Sequence, residues 1–229
     1  MQHKNMAQIF DHWPEKYDLW FETPLGRLIK GYERKLLLKM LKPEPGEVIL
    51  DAGCGTGIFT ADILEAGARV VGLELALAML CRALTKFPGR TFKSVIGDIR
   101  DLPFADASFH KTISVTAIEF VQDARLAVEE LFRVTKPKGY IVVATLNSLS
   151  PWAQQRTAAV QKNHPLFKHA IFRSPDEIKD LSPVEGIIQT AIHFEKNDDP
   201  EIAPEIEKAV SEKGLNTGAF LAARWIKRG

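Results

Sequence analysis

The sequence predicts an α/β fold built on a doubly wound, mostly parallel sheet. Between residues 47 and 146, short apolar segments of strand length alternate with amphipathic segments of helix length. Strands are expected at 48–50, 69–73, 92–96, 109–115 and 140–146, and helices at 58–66, 75–86 and 123–134. Because a helix follows most strands, successive strands should run parallel, with helices on both faces. A glycine-rich loop after the first strand favours the same fold.

Segments on either side of this alternation add helices. The first is aromatic, with rings at near-helical spacing, and a second helix is expected to begin at Thr23, which a proline follows. We therefore divide the chain into an N-terminal helical lid segment, 1–42, and a main domain, 43–229. Residues 147–185 contain two helix starts and predict a helical cap inserted after the fifth strand. Two late strands are expected at 187–194 and 219–226.

Composition argues against several classes of protein. The chain of 229 residues has a formal net charge of +1, so nucleic acid is not an expected partner. Cys54 and Cys81 are too few for a disulfide framework, and no metal site is expected. No apolar run is long enough to span a membrane, and the N-terminus lacks a signal-peptide pattern. These features indicate a soluble, cytoplasmic protein and leave its oligomeric state open.

The loop between the first strand and its helix predicts a ligand site. Residues 51–57 read Asp-Ala-Gly-Cys-Gly-Thr-Gly. Because Gly53 and Gly55 lack side chains, a ligand can contact the backbone there, beside the free N–H groups of a helix N-terminus. The loop has neither the lysine of a P-loop nor the spacing of a dinucleotide fingerprint. Asp51 would repel a pyrophosphate, whereas its carboxylate suits a ligand that carries an ammonium group.

Two further acids follow the second and third predicted strands. Glu74 lies about 20 residues after the loop, where an acid can accept hydrogen bonds from both hydroxyls of a ribose. The alternative is that Glu74 complements the dipole of the next helix. Asp98 can accept a hydrogen bond from an adenine amino group while Ile99 packs on the ring, or it is a solvated loop acid.

Three segments resemble a known family. VILDAGCGTG, residues 48–57, closely resembles the first motif of class I S-adenosylmethionine-dependent methyltransferases. GDIRDLPFADASF, residues 97–109, and LFRVTKPKG, residues 131–139, resemble motifs of the type 11 branch. That branch includes methyltransferases of ubiquinone and menaquinone biosynthesis. The resemblance implies a Rossmann-like sheet of seven strands whose last strand is antiparallel.

The resemblance also implies S-adenosylmethionine as cofactor and assigns roles to the matched positions. It implies that Asp51, Gly53 and Gly55 hold the methionine end and that Glu74 holds the ribose. The residues that it places around the adenine are Leu75, Asp98 and Ile99. Those that it places near the reacting sulfur are Thr116 and Ala117.

The methyl acceptor has weaker signals. Glu119, just after the fourth predicted strand, is a candidate general base or polar contact; the alternative is an exposed acid before a helix. The aromatic segment from Phe10 to Phe21 is either a helix packed on the core or a lid over the acceptor. The expected walls of the acceptor pocket are Tyr17, Trp20, Phe21, Asn147 and Trp152.

The predicted function is methyl transfer from S-adenosylmethionine to a small, partly apolar or aromatic metabolite. A ring-bearing, quinone-like acceptor is the first expectation, because the resembling branch includes such enzymes. One alternative is a regulatory module or pseudo-enzyme that binds the cofactor without transferring the methyl group. A more distant alternative is a nucleotide-dependent oxidoreductase. Ligand choice distinguishes the oxidoreductase, and turnover distinguishes the pseudo-enzyme.

Overall fold

The centre of the fold is a seven-stranded sheet, seen in a computed structural model that describes residues 9–88, 91–161 and 166–229. Its strands are β1 (Val48–Ala52), β2 (Arg69–Glu74), β3 (Phe92–Ile96), β4 (Phe109–Val115), β5 (Thr135–Leu146), β6 (Ile187–Ala191) and β7 (Phe220–Ile226). Their order across the sheet is β3-β2-β1-β4-β5-β7-β6. Strands β1 to β5 pair in parallel, and β7 runs antiparallel to both β5 and β6. The predicted mostly parallel sheet with an antiparallel last strand is confirmed.

Helices cover both faces of this sheet. They are α1 (Pro14–Glu22), α2 (Pro24–Leu41), α3 (Thr60–Glu65), α4 (Leu77–Lys86), α5 (Ala124–Val134), α6 (Pro151–Gln161), α7 (Pro175–Lys179) and α8 (Ala203–Glu212). One buried cluster takes Ile29, Ile63 and Ala83 from the helices of the first face. A second cluster takes Leu131 and Ile178 from α5 and α7 on the other. The doubly wound arrangement thus follows from helices on both faces that bury apolar side chains against the sheet.

The two largest differences from the predicted strand boundaries occur in β5 and β6, and a left-handed residue lies near each. Strand β6 ends at Ala191, because Ile192 adopts a φ of 67° that does not continue a strand. Strand β5 begins at Thr135 instead of residue 140, and its pairing with β4 shifts register there. Lys138, with a φ of 67°, lies within that irregular stretch.

A tight corner joins the two N-terminal helices. The Thr23 hydroxyl accepts a hydrogen bond from the Gly26 amide at 3.0 Å and donates to the Trp20 carbonyl at 2.7 Å. This confirms Thr23 as the N-cap of α2. A Cβ on Gly26 would lie 2.0 Å from the Trp20 carbonyl oxygen, so only glycine fits here. The corner lets α1 return over the glycine loop.

The segment after β5 contains α6, a 3₁₀ turn at Phe167–His169 and α7. Helix α7 has the predicted capping box: Ser174 and Glu177 each bond the other's backbone N–H through their side chains. Residues 1–8 of the expected lid segment and 162–165 of the expected cap lie outside the described residues.

Candidate functional site

A cavity of about 640 Å³ lies at the carboxyl ends of the strands. This volume is within the range of small-molecule sites, and the position is where open α/β sheets bind ligands. We call the part lined by Asp51, Gly53, Gly55, Glu74 and Asp98 the loop end. We call the part lined by Tyr17, Glu33, Glu119, Trp152 and Arg156 the cap end. Among the predicted site residues, the cavity is lined by Asp51, Gly53, Gly55, Glu74, Leu75, Asp98, Ile99, Thr116, Ala117, Glu119, Tyr17, Trp20, Phe21 and Trp152.

The glycine loop packs tightly between β2 and the segment that follows β4. The amides of Gly53 and Cys54 donate to the Leu73 carbonyl at 2.7 and 3.1 Å. Gly53 has a φ of 80°, and a Cβ on it would lie 2.4 Å from Cβ of Ala117. Glycine is therefore required here both by the backbone conformation and by the close approach of Ala117.

Asp51 is a buried carboxyl at the end of β1. Its Oδ2 accepts a hydrogen bond from the Thr60 hydroxyl at 2.6 Å. Burial raises the pKa of Asp51 to about 6, while the Thr60 hydrogen bond lowers it and the nearby charge of Glu74 raises it further. A buried carboxylate of this kind gains from a cationic ligand, because the ligand's charge compensates for lost hydration.

Glu74 connects the glycine loop to the start of α4. Its Oε2 accepts from the Gly55 amide at 2.9 Å, and its Oε1 accepts from Leu75 and Ala76 at 2.8 and 2.9 Å. The carboxylate therefore ties the glycine loop to the two residues that precede α4. Burial raises its pKa, although these backbone hydrogen bonds oppose the change. Contact with a ribose remains a prediction.

Asp98 and Ile99 follow β3. The Asp98 carboxylate accepts hydrogen bonds from the backbone amide of Arg100 at 2.9 Å and from its guanidinium. Ile99 is buried beneath them. Both residues line the cavity, so they are accessible for the predicted contacts with adenine. The Asp98 carboxylate also forms a salt bridge with Arg100.

Thr116 occupies a strained position between the two ends of the cavity. Its φ of 47° is unusual for a β-branched residue, and strain of this kind is concentrated at functional sites. Tyr17 on α1 lines the cavity together with Thr116. Burial raises the pKa of Tyr17 above its ordinary value, although the Thr116 side chain acts in the opposite direction. Tyr17 is therefore a neutral hydroxyl at neutral pH.

Helix α1 is held to the loop end by Asp18. The Asp18 carboxylate accepts from the Thr56 hydroxyl at 2.6 Å and from Arg82 and Lys86 on α4, both at 2.7 Å. Burial by itself would raise the pKa of Asp18, but these hydrogen bonds bring it below its ordinary value. Sequence reasoning did not select Asp18. Its carboxylate is the strongest link between the aromatic segment and the glycine loop.

Glu119 is fully buried, so the interpretation of this residue as an exposed acid is wrong. Its Oε1 accepts a hydrogen bond from the Leu146 amide at 2.9 Å, and its buried Oε2 has no hydrogen-bond partner among the described residues. Burial raises the pKa of Glu119 to about 7. A carboxylate with such a pKa is matched to proton transfer near neutral pH.

Two further charged side chains, Glu33 and Arg156, reach the cap end, and sequence reasoning selected neither. Glu33 lies on α2, and burial raises its pKa to about 8, while the charge of Arg156 opposes this change. The Arg156 guanidinium lies over the rings of Trp152 and Phe167, 5.4 and 5.9 Å from their centroids. Among the described residues, Oε2 of Glu33 and Nη1 of Arg156 are buried without hydrogen-bond partners.

Arg173 holds the 3₁₀ turn (Ile118–Phe120) that carries Glu119. Its guanidinium donates to the carbonyls of Ile118 and Val121 at 2.8 and 3.0 Å. The Ile171 amide donates to the Glu119 carbonyl at 2.8 Å. The segment after β5 therefore positions Glu119 through backbone contacts, which no sequence pattern revealed.

Asn147 is the exception among the predicted pocket walls. It does not line the cavity, because its side chain is fully buried in a polar junction behind it. Its Nδ2 donates to the carbonyls of Asn216 and Gly218, both at 2.9 Å, and its Oδ1 accepts from the Leu149 amide at 3.0 Å. Asn147 therefore holds the loops around the site together.

A sequence signal for Glu33 did exist. Ile29, Leu36 and Leu37 form the apolar stripe of α2, and Glu33 lies at the i+4 position from Ile29 within that stripe. A charge at such a position must be buried, which marks it as a functional candidate. Arg156 has no equivalent signal, because α6 has no clear apolar stripe.

Within the described ranges, no group of histidine, cysteine or acidic side chains is arranged to hold a metal ion. None of the helices seen there has the length and apolar character needed to cross a membrane.

Comparison with known proteins identifies the relatives of this chain. The family model of a methyltransferase domain, type 11, matches residues 50–143. A malonyl-[acyl-carrier protein] O-methyltransferase from Serratia marcescens is 32% identical over 179 residues, 69% of each chain. A demethylmenaquinone methyltransferase from Corynebacterium kroppenstedtii is 34% identical over 145 residues, which cover 63% of this chain and 61% of that one. The aligned part thus spans about two thirds of the first relative and three fifths of the second.

Among solved structures, a SAM-dependent methyltransferase from Thermotoga maritima has the same fold. Its TM-score is 0.70, and the superposed region covers 96% of this chain and 99% of that chain. At 23% sequence identity, this likeness concerns the fold alone.

Proposed function

The chain belongs to the type 11 branch of the class I S-adenosylmethionine-dependent methyltransferases, and we propose that its acceptor is a small, partly apolar or aromatic metabolite held at the cap end. The observation that carries this proposal is the wall of the cap end. It combines the rings of α1 and α6 with a few buried polar groups, as small-molecule sites do. We further propose that α1 acts as the lid.

The loop end fits S-adenosylmethionine by its charge. The buried carboxyl of Asp51 and the half-buried carboxyl of Glu74 interact electrostatically, so a pyrophosphate would meet two like charges here. The sulfonium and ammonium groups of S-adenosylmethionine instead place positive charge beside Asp51. Glu74 would hold the ribose, and Asp98 and Ile99 would contact the adenine.

When bound, the cofactor supplies a methyl group already activated by its sulfonium. The chain's own residues then have three tasks. The tight contact of Gly53 with Ala117 and the strained Thr116 fix the backbone between the two ends, which serves alignment. Tyr17 and the rings of α1 exclude water. Glu119 accepts a proton when the acceptor must lose one, because its pKa of about 7 keeps a large ionised fraction at neutral pH.

Relatives do not identify the acceptor. The two named above differ widely, one acting on malonyl-acyl-carrier protein and the other on demethylmenaquinone. A ring-bearing acceptor agrees with the aromatic wall, where Phe10 and Phe120 meet edge to face at 4.9 Å. Nucleic acid is disfavoured, because a net charge of +1 leaves little attraction for a phosphate backbone.

Methyl transfer to a metabolite library, detected by mass spectrometry as a 14-dalton gain, tests the proposal. We expect transfer to small ring-bearing molecules, and we expect Trp20→Ala to reduce it more than it reduces cofactor affinity. Trp20 is 42% exposed at the cavity mouth, so its replacement spares the core. Transfer only to tRNA, DNA or intact protein would refute the acceptor class. Cofactor binding without turnover on any acceptor would instead favour a regulatory module.

A further inference from the structure

The cap end contains three ionisable side chains, each with a buried atom that the fold leaves without a hydrogen bond. Among the described residues, Oε2 of Glu33, Oε2 of Glu119 and Nη1 of Arg156 have no hydrogen-bond partner. Burying a polar group without a partner is unfavourable, and burying a charged group without one is more so. Native structures seldom retain three such groups together unless a ligand or ordered water completes their bonding.

These groups lie near one another, but they do not pair with one another. Both carboxyls interact electrostatically with Arg156, and Glu33 also interacts electrostatically with Glu119. Even so, within the described ranges no nitrogen of Arg156 comes within 4.0 Å of either carboxylate, although an internal ion pair would be the simplest way to neutralise them. All three residues line the same cavity, so the space between them is accessible to a ligand.

The guanidinium of Arg156 packs against two aromatic rings. Trp152 and Arg156 lie one helical turn apart on α6, which places the ring beneath the guanidinium. The Trp152 indole N–H donates to the Phe194 carbonyl at 2.7 Å, so the ring cannot rotate freely. The Phe167 ring also lies close to the guanidinium. A guanidinium packed against rings, with its Nη1 still unbonded, is suited to bind an oxygen anion attached to a flat apolar group.

We propose that the acceptor carries an acidic O–H group, a ring hydroxyl, an enol or a carboxylic acid, which binds between Arg156 and the Glu33–Glu119 pair. In this arrangement the O–H proton passes to the Glu119 carboxylate, and the oxygen keeps the electron pair of the broken bond. Arg156 and the newly protonated Glu119 then donate to the resulting oxygen anion, and the Glu33 carboxyl, which the folded state holds protonated, donates a further hydrogen bond. One group on the ligand thereby accounts for all three unpartnered atoms. A primary amine would leave Arg156 without an acceptor.

This inference rests on the proposed function, since it concerns the acceptor of the same reaction. Its test measures binding and does not require turnover. The full chain, saturated with S-adenosylhomocysteine, is titrated calorimetrically with four naphthalenes of similar shape. Two carry an acidic group, 2-naphthol and 2-naphthoate; 2-methoxynaphthalene carries none, and 2-(aminomethyl)naphthalene is a cation. The two acidic probes distinguish a ring hydroxyl from a carboxylate.

We expect at least one acidic probe to bind about tenfold or more tightly than the methoxy and aminomethyl compounds, since hydrogen bonds to charged groups are the strong ones. Arg156→Met should remove that preference and leave the affinity for 2-methoxynaphthalene and S-adenosylhomocysteine unchanged. Arg156→Lys should retain part of it, because the charge remains. The matched control is Arg125→Met, at an exposed arginine of α5 outside the cavity.

Three outcomes would overturn the inference: tighter binding of the amine, failure of both acidic probes to bind, or an unchanged preference in Arg156→Met. Should Arg156→Met fail to fold, the preference in Arg156→Gln decides in the same way. Failure of the wild-type chain to bind S-adenosylhomocysteine would count against the proposed function itself. Binding of that product without any acid preference would count against this inference alone.

Discussion

The two ends of the cavity differ in how completely the fold satisfies the hydrogen bonds of their ionisable side chains. At the loop end, Glu74 accepts three backbone hydrogen bonds and Asp51 accepts one from Thr60. At the cap end, Glu33, Glu119 and Arg156 each keep a buried atom without a partner among the described residues. The loop end is therefore preorganised by the fold, whereas the cap end leaves polar capacity for a ligand to complete. Such a division suits an enzyme family in which the cofactor is constant and the acceptor varies.

The largest expected effect is on catalysis at the cap end. Glu119→Gln should lower kcat/KM by about 10²–10⁴-fold for an acceptor that must lose a proton, because a general base contributes that much. The affinity for S-adenosylhomocysteine should stay within about twofold, since Glu119 does not belong to the loop end.

The wild-type pH profile provides an independent check. Because the base must be ionised, kcat/KM should rise with pH through about 7, the pKa of Glu119, and then level off. In Glu119→Gln this limb should disappear. A mutant that keeps both the rate and the pH dependence of the wild type would remove Glu119 from the mechanism.

The next effect concerns the loop end. Glu74→Ala should weaken S-adenosylhomocysteine binding by about 2–4 kcal/mol, as measured by calorimetry, because contacts with two hydroxyls would be lost together. The melting temperature should also fall, since the amides of Gly55, Leu75 and Ala76 lose their shared acceptor. Glu129→Ala, at an exposed glutamate of α5, is the matched control. If the affinity for S-adenosylhomocysteine is unchanged and the melting temperature is lower, Glu74 holds the backbone before α4 in place and does not bind the cofactor.

The attachment of α1 through Asp18 should have a smaller effect than the residues of either end of the cavity. Asp18→Asn removes a carboxylate bound by Thr56, Arg82 and Lys86, and should destabilise the closed position of α1 by about 1–3 kcal/mol. Hydrogen exchange measured by mass spectrometry should become faster in residues 10–27, and cofactor should slow it again. Asp11→Asn, at an exposed aspartate of the same segment, serves as control. Equal exchange in Asp18→Asn and wild type would mean that α1 is held by its apolar contacts.

The smallest effect is on stability. The pKa of Glu33 is raised by burial to about 8, so the folded state favours its protonated form. Its contribution to stability is fully present below its ordinary pKa and is lost as pH rises toward 8. The Gln side chain of Glu33→Gln cannot ionise. In urea unfolding, the stability of this variant relative to the wild type should therefore increase by about 1–2 kcal/mol from pH 5 to pH 8. A constant difference across this range would show that folding does not raise the pKa of Glu33.

Most of the sheet and the whole loop end were predictable from the sequence. Strands with period-two or continuous apolar patterns can be recognised from neighbouring residues alone, and the glycine loop with its acids occupies one continuous segment. Less of the cap end was predictable. Glu119 was selected as a candidate, but its burial depends on Arg173 and Leu146, which are distant in sequence. Asn147 was assigned to the wrong role, since its partners lie near residue 217.

The sequence by itself determined the order of strands and helices, the glycine loop and the chemistry that Asp51 and Glu74 favour. These features depend on residues close together in the chain, where spacing translates directly into geometry. Only the tertiary structure brought Glu33 of α2, Glu119 after β4 and Arg156 of α6 into one cavity. Three separate elements must fold over the sheet before these charges meet, and no local pattern encodes how their side chains will face one another.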